Sequence, residues 1–185
     1  MKAMNKNKSI ITAILAILMA GTSCIKEKLE LAYNNQEDRI DKYIEAAIKK
    51  DTTAAVVRNN GSNRLILVHG EGEELGEKGQ IAFYYAGYTF NGSVSSSNLF
   101  VTNHEQTAID AKWDLTDAQF DLYEINMADA QLLEGLRNGL LGVKGGEECE
   151  ILFSGKYGFG NETFGIIPPN SALLYKIWVV SISNE

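Results

Sequence analysis

Tyr157-Gly158-Phe159-Gly160, followed by Gly165-Ile166-Ile167-Pro168-Pro169-Asn170-Ser171-Ala172-Leu173, is the stretch that decides how the chain folds, and it holds both of the chain's prolines. It joins two strands. On its N-terminal side, Glu147 to Ser154 alternates Cys149, Ile151 and Phe153 with Glu148 and Glu150, the period-two pattern of a half-buried strand. On its C-terminal side, Ala172 to Ile182 is a long apolar run that also reads as a strand. Before the first of these, Leu132, Leu133, Leu136 and Leu140 recur at helical spacing, and Gly142 stands where a C-cap glycine belongs.

Further upstream the period stays at two or gives way to short apolar runs. Ala54 to Arg58 and Arg64 to His69 flank Asn59-Asn60-Gly61-Ser62-Asn63, which predicts a hairpin. Gly70 to Gly79 is a solvated loop of glycine and acid, Gln80 to Phe90 is an aromatic-rich strand, and Phe120 to Ile125 is a short one. Five or six strands and one short helix make an α+β domain, an antiparallel sheet with the helix laid across one face. Ahead of it, Asn34 and Glu37 offer a capped helix start. Ile40, Tyr43, Ile44, Ala47 and Ile48 then draw one apolar stripe, so an N-terminal amphipathic helix is expected over 36–50. Docking of that stripe on the following domain is favoured; a homodimer through helix 36–50 is the alternative.

The first residues differ in kind. Lys2, Lys6 and Lys8 precede an uncharged run from Ile10 to Ala20, too short for a comfortable bilayer span and shaped like a secretory signal. Ala20-Gly21-Thr22-Ser23-Cys24 then places a cysteine after small residues, which resembles a bacterial lipoprotein signal, with Gly21 where an aliphatic residue is usual. That resemblance implies cleavage before Cys24, acylation of its thiol, and a protein held to a membrane of the cell envelope by lipid. The expected organisation is a signal over 1–23, a juxtamembrane segment and helix over 24–52, and one domain over 53–185.

Composition narrows the chemistry. The chain has 185 residues, 45% hydrophobic and 22% charged, with 17 Lys+Arg against 24 Asp+Glu, so no basic excess suits nucleic acid. Loss of residues 1–23 would remove three lysines and no acid, leaving 14 basic against 24 acidic side chains. Two cysteines make no disulfide framework, and Cys149 reads as a buried small apolar residue. His69 and His104 lack metal-ligand spacing, no Gly-x-Ser-x-Gly elbow is present, and Gly142 to Gly146 follows a helix, the reverse of a phosphate loop. No metal or cofactor is expected. Glu147, Glu148 and Glu150 read as a solvated strand face.

The helix ending near Gly142, the strand over Glu147 to Ser154, the Tyr157-Gly158-Phe159-Gly160 loop, Ile166-Ile167-Pro168-Pro169 and the last strand together resemble the C-terminal half of the FKBP-type peptidyl-prolyl cis/trans isomerases, in order and nearly in spacing. Gly79-Gln80 with Tyr84-Tyr85-Ala86-Gly87 is similar to that family's first core strand, and Leu99-Phe100-Val101-Thr102-Asn103 to the segment carrying its pocket phenylalanine. The resemblance spans about residues 75 to 183. It implies proline-containing polypeptides as substrates and a pocket walled by Tyr85, Phe100, Leu132, Leu133, Leu136, Phe159, Ile167 and Tyr175, with Val101 and Phe164 in contact with substrate. The family's backbone N–H at the position of Leu133 donates to a substrate carbonyl.

Three positions depart from the family. Its usual acid is Val101, its floor tryptophan is Leu136, and its second loop tyrosine is Phe159. The 103–130 insertion, longer than compact members need, is expected to cover or extend the pocket. Two functions follow: a lipid-anchored isomerase for exported proteins, ranked first, and an FKBP-like peptide-binding or chaperone module that holds peptides without twisting them.

Overall fold

The computed structural model describes the backbone of residues 3–116 and 118–184 and the side chains of residues 26–116 and 118–184. The chain forms two compact units, Met1–Asn35 and Gln36–Glu185. Their boundary falls inside one helix, α1 (Ala3–Lys50). The expected helix start at Asn34 is therefore corrected, and residues 25–33 are helical too. The reason is local. Ile25 to Tyr33 consists largely of good helix formers with no glycine or proline, and two asparagines cost a helix only about 1 kcal/mol. The side chains of the apolar run and of Cys24, and with them the signal and the lipidation position, lie outside the described residues. Among the described residues no helix is long and apolar enough to cross a membrane.

After α1 come β1 (Ala55–Asn59), β2 (Ser62–Val68), β3 (Gln80–Thr89), β4 (Leu99–Thr102), α2 (Glu105–Asp110), β5 (Tyr123–Asn126), α3 (Glu134–Leu140), β6 (Glu148–Phe153) and β7 (Leu173–Ser183). The strands form one antiparallel sheet in the order β1-β2-β6-β7-β3-β4, with β5 also on β3. The α+β architecture stands, with seven strands among the described residues instead of five or six. The additions are easily missed by periodicity: β4, which absorbs the isolated Phe100, is only four residues long. The β1–β2 hairpin turns on Asn60 and Gly61, whose φ of 44° and 80° suit the short turn that matches strand twist. α3 starts at Glu134, so Leu132 and Leu133 precede it, and Gly142 follows its C-cap Leu141 with φ 81°.

Alternation along the strands sorts the core onto two faces. On the front, Phe83, Ile151, Phe153, Leu173, Tyr175 and Ile177 pack with Leu136 and Leu140 of α3. Gly135 and Gly139 let α3 approach: a Cβ on either would overlap Phe153 or Ile151. On the back, Leu65, Ala86, Leu152 and Leu174 pack with Ile40 and Ile44 of α1. Those two isoleucines are 0% and 1% exposed, and their burial contributes about 3–6 kcal/mol to holding the helix there. The stripe docks within the chain.

Glu147 and Glu150 are not on a solvated face. They are 3% and 4% exposed, Glu147 against Arg64 Nε at 3.3 Å, and Glu150 against Lys176 Nζ at 3.5 Å and the Tyr43 hydroxyl, which donates at 2.7 Å. Buried acids persist only when paired in this way. Arg64 also donates to the carbonyls of Gly139, Leu141 and Gly142, capping the end of α3. Cys149 is buried and free.

Candidate functional site: an aromatic pocket between sheet and loops

The pocket begins at a break in the sheet edge. β3 pairs with β7 along one side, while its other side is shared: β5 takes Gln80 to Phe83 and β4 takes Ala86 to Tyr88. Between them the chain leaves the sheet, and Asn103 fills the gap. Its Oδ1 accepts from Tyr85 N–H at 2.6 Å, its own N–H donates to Tyr85 O at 3.2 Å, and its Nδ2 donates to Asp121 O at 2.9 Å. Tyr85 is thereby fixed on the front face at the point where the edge opens.

Beyond that opening lies a cavity of about 650 Å³. All ten pocket residues implied by the resemblance line it: Tyr85 from β3, Phe100 and Val101 from β4, Leu132, Leu133 and Leu136 at the start of α3, Phe159, Phe164 and Ile167 from the β6–β7 loop, and Tyr175 from β7. The rings meet mostly at their edges, Phe100 on Tyr175 at 5.8 Å and Tyr85 on Tyr123 at 5.7 Å, while Phe159 stacks on Phe164 at 4.7 Å. Gly87 makes this close meeting possible. It pairs with both Tyr175 and Val101, and a Cβ there would lie 2.8 Å from Phe100 Cζ and 2.9 Å from Tyr175 Cε1 and Val101 Cγ1.

The pocket is electrostatically quiet. Among the described residues none that lines it carries a charge. Burial, with Tyr123 adjacent, pushes the Tyr85 phenol up, and burial next to Tyr85 pushes Tyr175 up further, so both stay protonated. Leu133 lines the pocket as the N-cap of α3, and among the described residues its N–H has no partner. Among the described residues no three His, Cys, Asp or Glu side chains gather where they could hold a metal ion. His104 stacks on Trp178 at 4.1 Å, and His69 Nε2 meets Thr53 O, both away from the pocket.

Sequence reasoning missed several walls, chiefly Phe83, Leu99, Trp113, Tyr123 and Ile166. Phe83 was legible, since it shares the front face with Tyr85 two residues on. Tyr123 falls in a segment read as a strand, yet its four residues leave its facing undecided. Trp113 sits in the 103–130 insertion and has no periodic signal. It lines the pocket, so part of the 103–130 segment contributes to the pocket wall.

Residues 72–180 match the family of FKBP-type peptidyl-prolyl cis-trans isomerases. The chain is similar to FK506-binding protein 1 of Aspergillus oryzae, 19% identical over 123 residues that span 66% of this chain and 99% of that protein. It is also similar to a peptidyl-prolyl cis-trans isomerase of Schizosaccharomyces pombe, 24% identical over 68% of this chain and 97% of that one. Among solved structures the fold resembles FkpA from Escherichia coli, with TM-score 0.54 and 17% identity over 95% of this chain and 72% of that one. It also resembles the three FKBP domains of wheat FKBP73, with TM-score 0.56 and 21% identity over 70% of this chain and 51% of that one. With the ordered loop motif, the two-faced sheet and the uncharged aromatic cavity in agreement, the chain belongs to the FKBP-type peptidyl-prolyl cis-trans isomerase family.

Proposed function

We propose that the chain is a lipid-anchored isomerase that binds X–Pro segments of exported proteins in this pocket. The observation that carries the reading is the convergence of ten separately placed residues on one uncharged aromatic cavity, with the Leu133 N–H, which has no partner among the described residues, at its wall. Rotation about an X–Pro bond faces a barrier of about 18–20 kcal/mol, while its two end states differ by only about 0.5–1 kcal/mol. An enzyme therefore needs to favour only the twisted amide. Planarity rests on a charge-separated resonance form that water stabilises. A dry ring-lined pocket removes that water, and the Leu133 N–H holds the neighbouring carbonyl while the bond turns. No proton transfer is involved, which suits a site without charge.

The second reading, a peptide-binding or chaperone module with weak or absent catalysis, is favoured by Val101, Leu136 and Phe159. The first lacks an acid, the second an indole, and the third the hydroxyl that would bond a substrate chain, each on the pocket wall. The deciding experiment follows isomerisation of an X–Pro peptide by the full chain in detergent micelles, with and without an FKBP-directed macrocyclic inhibitor. Acceleration that the inhibitor abolishes is expected; a folded, inactive protein that still binds the peptide would establish the binding module.

Anchorage through Cys24 at the cell envelope is part of the proposal and rests on the signal-like N-terminus. Cys24→Ala is expected to lose metabolic acyl label and membrane association; retention of both would refute it. A homodimer through helix 36–50 would need a surface other than Ile40 and Ile44, which the chain's own sheet covers.

A further inference from the structure

β6 ends at Phe153 opposite Leu173 at the start of β7, so residues 154–172 leave the sheet and return as one loop. That loop brings Phe159, Phe164, Ile166 and Ile167 to the pocket. Inside it, Gly160 N–H donates to Gly155 O at 3.2 Å, Asn170 N–H donates to Gly160 O, and Phe164 and Ile167 exchange two backbone bonds of 3.2 and 2.9 Å. Its two ends touch, since a Cβ on Gly155 would overlap the Asn170 carbonyl. A side chain from another element closes that neck. Gln36 of α1 donates from Nε2 to Asn170 O at 2.7 Å, and its Oε1 accepts from Gly155 N–H at 2.8 Å. An amide can do both at once because it carries a donor and an acceptor on one planar group. Gln36 is buried one helical turn before Ile40, on the helix that packs against the back of the sheet.

We propose that Gln36 is a positioning residue for the isomerase pocket: from behind the sheet it staples the two ends of the loop that walls the pocket in front. The inference rests on reading that pocket as the isomerase site. A stapled loop meets substrate already ordered. Without the staple, binding must supply the order, so the defect falls on KM more than on kcat.

The test uses the full chain in detergent micelles with an X–Pro peptide. Gln36→Met keeps the length and removes both polar atoms. It is expected to lower kcat/KM about fivefold, mainly through KM, and to speed amide exchange at Gly155. Gln36→Glu keeps the acceptor but places a second one against Asn170 O. Relative to wild type it is expected to lose as much at pH 8 and to recover in part at pH 5, where a protonated carboxyl can again donate. Ile44→Val, which thins the docking of α1 without touching the amide, is expected to lower the melting temperature and leave KM unchanged. Unchanged KM and unchanged Gly155 exchange in Gln36→Met would overturn the proposal, as would an equal rise in KM from Ile44→Val. Wild-type protein without isomerase activity would sink the isomerase reading instead; Gly155 exchange and peptide Kd would then decide the staple alone.

Discussion

Gly87→Ala places one methyl group at the point where the pocket's rings converge. The added Cβ would stand 2.8 Å from Phe100 Cζ and 2.9 Å from both Tyr175 Cε1 and Val101 Cγ1, where carbon atoms prefer about 3.5–4.0 Å. Phe100 and Tyr175 must therefore recede by about 0.7 Å, or the paired strands must spread, and β7 is held by its ladders to β3 and β6. Overpacking of this kind costs about 1–3 kcal/mol, against about 0.4–1 kcal/mol regained because alanine narrows the unfolded chain. The net loss, between about 0 and 2.6 kcal/mol, corresponds to a fall of up to about 10 °C in melting temperature for a domain of this size. The functional loss is expected to be larger in proportion. In the proposed isomerase the displaced rings grip the proline, and small misplacements in a site that acts by shape are costly, so kcat/KM should fall about tenfold or more. Thermal unfolding followed by circular dichroism, together with a coupled X–Pro isomerisation assay, measures both. A variant that keeps its kcat/KM, or melts higher than the parent, would refute the reasoning that Gly87 exists to let the pocket rings meet.

Arg64→Met leaves Glu147 buried beside no cation and removes three bonds to the end of α3, so it should cost about 3–5 kcal/mol in chemical denaturation; a cost under about 1 kcal/mol would show that the pair is not needed. Phe159→Tyr adds a hydroxyl on the pocket wall and should raise isomerase activity by up to about tenfold; an unchanged or lower rate would count against the role given to the missing hydroxyl. Burial, outweighing the nearby Glu148 and Asp110, holds the His104 imidazole below its ordinary pKa of 6.5. The unfolded chain therefore binds the proton first as pH falls below about 6.5, and stability should drop over that window. His104→Phe should flatten that part of the stability curve, and curves of equal slope in both proteins would exclude His104 as the source.

The chain's local patterns carried much of the fold. Alternation in Glu148 to Phe153, the aromatic run of β3 and the leucine spacing around α3 each record which side of an element faces apolar neighbours, and a side chain's periodic position is a local property. The Tyr157 to Pro169 loop was legible for a different reason: its glycines, aromatics and paired prolines stand in the order of the family motif they resemble. Legibility failed where the deciding partner is far away in sequence. Nothing near Glu147 or Glu150 announces Arg64, Tyr43 or Lys176, so two buried acids read as surface. The start of α1 was misplaced because a plausible cap at Asn34 is only a weak local preference, overridden by good helix formers on both sides.

The amino-acid order set the kind of surface each segment presents, an uncharged aromatic and aliphatic set on three strands, a short helix and one loop; the proline-binding pocket was implied by the resemblance of those motifs to the FKBP-type isomerases. What encloses that set follows from how the strands pair and the layers pack. Trp113 and Tyr123 reach it because β5 returns to the edge that β4 vacates, and Gln36 reaches the loop's neck because α1 packs against the back of the sheet. Hydrogen bonds and ring contacts act over a few ångströms, so their partners are chosen by how strands pair and layers pack. Spacing along the chain does not record that choice for residues more than a hundred positions apart, as Gln36 and Gly155 are.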